Sequence, residues 1–183
     1  MRWSTNRVLA ATAAIFAVGA LFAGDVQRTV PVDDQVSPVQ LATWIRDRNA
    51  TLRIIDVRDS ASFREYQIPT ADNITAHTID DARFTQDQLI VLYSLDEDPV
   101  REWAALKKRG LNAKVLSGGL GGWLGDIMQP ALPPNASAEQ TASYQKKKEL
   151  AEYFGGQPSV YTEQSSVSPS TLQSLKRLKR RTC

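Results

Sequence analysis

Residues 89–93 read Leu-Ile-Val-Leu-Tyr, LIVLY, between Gln88 and Ser94. Five apolar residues without a polar break make this the clearest strand of the chain. Upstream, Leu52 to Val57 (LRIIDV) is a second run of this kind. Downstream, Ala113 to Leu116 is a third, followed by the tight turn Ser117-Gly118-Gly119. Helical segments fall between and before them. Ser37-Pro38 supplies an N-cap and a first-turn proline, and Val39, Leu41, Trp44 and Ile45 form the apolar stripe of a helix ending near Asn49. Ser60 to Tyr66 is a short helix candidate. Pro99 to Arg109 is a longer one, stopped by Gly110. Strands alternating with helices at this spacing predict an α/β domain with a parallel sheet.

The chain has 183 residues, 42% hydrophobic and 23% charged, which suits one globular domain with extensions. Its single cysteine, Cys183, excludes an internal disulfide framework. With one histidine, His77, it also argues against a Cys/His zinc site. The 22 basic and 20 acidic residues give a net charge of +2, too balanced to indicate nucleic acid. No cofactor or metal is expected.

Both ends differ in composition from the middle. Arg2 and Arg7 precede an uncharged run, Val8 to Gly24, VLAATAAIFAVGALFAG. A positive region followed by an apolar one is a secretory signal or a membrane anchor. Seventeen residues lie at the lower limit for crossing a bilayer. Val18-Gly19-Ala20 fits a cleavage site tolerably, whereas Leu21-Phe22-Ala23 and Phe22-Ala23-Gly24 fit badly, so a retained anchor over 1–24 is expected. The positive-inside rule then places the N-terminus in the cytoplasm of a bacterium, the anchor in the inner membrane and the domain in the periplasm. Residues 25–36 read as a polar tether, and 37–128 as the domain. From 129 to 183 runs an extension that opens with Pro130, Pro133 and Pro134. Ala142 to Phe154 in it has helical character. Residues 157–170 are Ser/Gln/Pro-rich and expected to be disordered. At its end Leu172, Leu175 and Leu178 are interleaved with Lys176, Arg177, Lys179, Arg180 and Arg181. Such a basic amphipathic helix suits an anionic lipid surface or a groove on a partner.

Three segments together resemble the rhodanese-like domain family. They are Ile55-Asp56-Val57-Arg58 with Phe63 and Ile68-Pro69-Thr70-Ala71-Asp72-Asn73-Ile74; the strand Leu89 to Tyr93; and Gly110 to Trp123, GLNAKVLSGGLGGW. The resemblance spans about residues 36–126. It implies a three-layer α/β domain with a central parallel sheet, in which Asp56 and Arg58 hold loops together and Trp123 packs in the core. It also implies a site. Family members transfer sulfur through a persulfide on a loop cysteine just after the strand that ends here at Tyr93. That loop cradles an anion with inward N–H groups, which lower the thiol pKa.

The cysteine's position falls on Ser94, and the loop continues Leu95-Asp96-Glu97-Asp98-Pro99. A hydroxyl cannot form a persulfide, and three carboxylates repel thiosulfate or phosphate. The interval from Ser94 to Gly110 is about one residue short of the family's, and Tyr66-Gln67 replaces the family's Gly-His. Activation of Ser94 by His77, sulfur transfer on Cys183 and calcium binding by Asp96, Glu97 and Asp98 are weaker alternatives. The acidic residues instead favour the dipole of the helix starting at Pro99, or form a docking patch for a basic partner. The expectation is a catalytically inactive, membrane-anchored rhodanese-like protein. It would be a binding or scaffold subunit of a photosynthetic, respiratory or secretion complex. The alternative is a sulfurtransferase or sulfur-compound-binding protein with an atypical loop.

Overall fold

The computed structural model describes residues 29–160. The run at 8–24 and the basic segment at 172–181 lie outside the described residues. Five parallel strands form the central sheet: β1 (Gln35–Val36), β2 (Leu52–Asp56), β3 (Ala71–Asn73), β4 (Leu89–Tyr93) and β5 (Asn112–Leu116). Their spatial order is β1-β5-β4-β2-β3, with β4 in the middle. Strands β2 and β4 pair in register from Leu52 opposite Leu89 to Asp56 opposite Tyr93.

The central strands are apolar on both faces because each face has its own core. Ile54, Val91 and Tyr93 point to one side, where they meet Leu41 and Ala42 of α1 (Pro38–Arg46) and Leu120 and Trp123 of α4 (Gly119–Trp123). Ile55, Ile90 and Leu92 point to the other, towards Leu106 of α3 (Val100–Lys108) and Ile79 in a 3-10 turn. A period of two along the strands thus builds an α/β/α sandwich; the parallel sheet is the one the alternation of segments predicts, and the three layers are those the family resemblance implies. The Ser37 side chain accepts the Gln40 N–H and caps α1, and Asp59 does the same for α2 (Ser60–Glu65).

The folded unit extends further than residues 37–128 on both sides. Part of the expected tether belongs to the sheet: Gln35 and Val36 form the edge strand beside β5, and Val30 and Val36 are buried. After α4 the helix widens into a π turn over Leu124–Met128. The proline-rich stretch then forms β6 (Ala131–Leu132), which pairs with β7 (Ser159–Val160). Between them lies α5 (Ala138–Phe154). Helix α5 starts four residues earlier than its apolar content suggests, because Ser137 and Gln140 form a reciprocal capping box. Leu150 is buried in the same core as Trp123, and Phe154 packs edge-on against the Trp123 ring at 5.2 Å. The apolar residues of α5 are few and widely spaced, so its sequence looks like an appendage. Among the described residues, no helix is long and apolar enough to cross a membrane.

Candidate functional site

Ligands of open parallel sheets bind beyond the carboxyl ends of the strands. Here those ends are Asp56, Asn73 and Tyr93, adjacent in register. Beyond them lies a cleft of about 290 Å³, lined by Val57, Ala76, Ser94, Glu97, Asp98, Pro99, Val100, Arg101 and Glu102. Of the sequence-predicted residues, Ser94, Glu97 and Asp98 therefore share one cleft. Leu95 and Asp96 are exposed on the same loop but do not line it. Lys176, Arg177, Lys179, Arg180 and Arg181 lie outside the described residues.

The loop is laid across the glycine turn after β5. Gly118 and Gly119 have φ of +70° and +54°, which side-chain-bearing residues rarely adopt. That conformation aims two amides of α4 at the loop: Leu120 N–H donates to the Ser94 carbonyl at 2.9 Å, and Gly121 N–H to the Leu95 carbonyl at 3.0 Å. A methyl group on Gly119 would lie 2.6 Å from the Leu95 carbonyl oxygen, and one on Gly121 would lie 2.5 Å from Asp96 Oδ1. Gly119→Ala should therefore lose about 1–2 kcal/mol from backbone strain alone, and displace residues 94–96. Urea unfolding and the amide chemical shifts of those residues test this. Unchanged shifts would mean that the loop does not rest on the turn.

Beneath the loop, Asp56 and Arg58 form an inward-facing clamp. Asp56 is wholly buried. Arg58 Nη2 donates to its Oδ2 at 2.6 Å and Nε to Oδ1 at 3.0 Å, while the Arg58 backbone N–H also donates to Oδ1. Arg58 Nη2 donates further to the Tyr66 carbonyl, and Asn73 Nδ2 to the carbonyls of Asp56 and Arg58. The Asp56 carboxylate holds the guanidinium pKa above its ordinary value. These bonds commit Arg58 to loop support, so it does not present a fork to an anion in the cleft.

Tyr93 joins the clamp to the strand that carries Ser94. Its hydroxyl accepts the buried Ile68 N–H at 3.2 Å, and the Arg58 guanidinium lies over its ring. Burial, and then the neighbouring Asp56 carboxylate, push the phenol well above its ordinary value of 10.0. The folded state thus holds this proton more tightly than the unfolded chain does. The associated stability is fully present below pH 10.0 and is lost as pH rises towards the folded value. Tyr93→Phe should accordingly show a shallower loss of stability above pH 10.0 than the parent chain, measured by urea unfolding across that range. An identical slope would remove Tyr93 from the alkaline transition.

Sequence reasoning missed Glu102 as part of this region, and it placed Tyr66, Asn73 and Tyr93 only as members of its motifs. Only the position of Tyr93 at a strand end hinted at its role. His77 is exposed in the turn after Ala76, outside the cleft lining, and no hydrogen bond joins it to Ser94 among the described residues. Nor do three His, Cys, Asp or Glu side chains converge on a cation-sized space among those residues.

Several known proteins are similar to this chain. A Bacillus halodurans protein of known structure shares 25% identity and a TM-score of 0.46, over 49% of this chain and 69% of its own. The rhodanese-like domain of an Anabaena protein shares 22% identity and a TM-score of 0.44, over 49% and 72%. A single-domain sulfurtransferase of Saccharomyces cerevisiae shares 18% and a TM-score of 0.40, over 53% and 93%. No curated protein matches the sequence. The family match itself covers β2 to β5, the loop after β4 and the glycine turn: residues 37–126 are a rhodanese-like domain.

Proposed function

We propose that this chain is a catalytically inactive, membrane-anchored periplasmic rhodanese-like protein, and that it acts as a binding subunit of a membrane protein complex. One observation carries the reading. Ser94 stands at the end of β4, where family resemblance expects the sulfur-carrying cysteine, and Glu97, Asp98 and Glu102 line the cleft beside it. A hydroxyl accepts no sulfane sulfur. The chain's one cysteine, Cys183, lies 89 positions further on. The loop offers carbonyls, not amides, to the glycine turn, and its carboxylates oppose thiosulfate. What remains is an acidic, partly apolar face suited to docking. The apolar run at 8–24 supplies the anchor in this reading, and its flanking Arg2 and Arg7 set the orientation.

Thiosulfate-to-cyanide transfer by the full chain tests the inactive half of the proposal. No turnover above the uncatalysed rate is expected. Turnover abolished by Ser94→Ala, or by blocking Cys183, would establish a sulfurtransferase instead. Native size in mildly solubilised membranes tests the other half. Migration in a large assembly is expected, and migration alone near 20.2 kDa plus detergent would sink it.

A further inference from the structure

The charge of this protein is divided by region. Residues 29–160 hold 14 basic and 18 acidic residues, whereas residues 161–183 hold five basic and one acidic. Four of the acidic residues of the body cluster at one place. Asp96, Glu97, Asp98 and Glu102 lie on or beside the loop after β4, and among the described residues Arg101 is the one cation lining the cleft. None of the four carboxylates forms an ion pair among the described residues. The same face is partly apolar. Val57, Ala76, Pro99 and Val100 line the cleft, and Leu95 stands 52% exposed beside it, one of the few large apolar side chains so exposed in the described fold. An apolar cleft with an acidic rim calls for an occupant that is both apolar and basic. Residues 172–181 have that composition, with Leu172, Leu175 and Leu178 among five Lys and Arg.

We infer that residues 172–181 dock in cis on the acidic cleft at Ser94, their leucines against Leu95 and the cleft wall and their cations against Asp96, Glu97, Asp98 and Glu102. This deepens the docking-face reading above and rests on it: the segment covers the face until a partner displaces it. The tether is comparable in length to the width of the domain it has to cross. Residues 161–171, fully extended, span about 36 Å, while a domain of this size has a radius of gyration of about 14 Å. A tether of this length also sets an effective concentration in the millimolar range, so individually weak ion pairs are enough to populate the contact. The contact is electrostatic at an exposed face, so salt weakens it.

The chain's single cysteine provides the probe. A nitroxide on Cys183 of the full chain, in neutral detergent micelles, should broaden the amide resonances of residues 95–102. Peak intensities there should fall by more than about half at low salt and recover near 0.5 M salt, where the Debye length is about 4 Å. The combined variant Asp96→Asn, Glu97→Gln, Asp98→Asn, Glu102→Gln should abolish the broadening while leaving the remaining spectrum folded. Lys179→Glu with Arg180→Glu should do the same from the other side. Broadening that is absent, spread evenly over the domain, directed at the micelle instead, or seen only between copies in a mixed-label sample would overturn the proposal. Sulfurtransferase turnover would overturn the docking-face reading itself, whereas a null broadening result with intact co-migration would remove only the segment 172–181 as its occupant.

Discussion

Asp56→Ala should destabilise the domain by about 3–5 kcal/mol, because it leaves a charged partner of a buried ion pair uncompensated. Arg58 is only 10% exposed on its side chain and has no second carboxylate among its bonding partners. The substitution also removes the acceptor for the Arg58 backbone N–H and withdraws the anion beside Tyr93. Urea unfolding followed by tryptophan fluorescence reads the loss as a lower midpoint. The double variant Asp56→Ala, Arg58→Met should recover a large part of it, since removing both charges eliminates the orphan. A single-variant loss below about 1 kcal/mol, within the range of an exposed pair, would show that water reaches the clamp.

Leu150→Ala carries the second large effect, about 2–5 kcal/mol, as for a leucine cut back to alanine within a packed core. The residue sits on α5, beyond the family-matched segment, yet shares the core of Leu41, Trp123 and Ile127. Helix α5 would then be a wall of the domain and not an attachment to it. Gln145→Ala, at an exposed position of the same helix, serves as the control. Equal, small losses in both variants would return α5 to the status of an appendage.

Three of the five strands, β2, β4 and β5, were legible from their short apolar runs, whereas β3 was read only as part of a motif. Helix α1 was legible from Ser37-Pro38, since capping chemistry is local. β1 was not legible. Two residues have no period, and Val36 becomes a strand residue only through its partner Leu116 in β5. α5 was half legible: its tertiary role depends on where Leu150 and Phe154 land, which its spacing does not state. At the site, the order Ser94 to Asp98 could be read directly. The carbonyl bonds to α4 could not, because they depend on two left-handed glycines bringing a distant turn under the loop. Glu102 was hidden for a related reason, since only the geometry of α3 turns it into the cleft.

The lengths of the outer strands have a consequence for life at high local density. β1 has two residues and β3 three, so neither border of the sheet presents a long row of open backbone donors and acceptors. Long open borders recruit strands from other molecules and seed aggregates, whereas short ones give an incoming strand too few bonds to stay. The apolar length of this sheet is thus confined to its interior strands. Copies crowded together on a surface can meet through their side chains without zipping their backbones into one another.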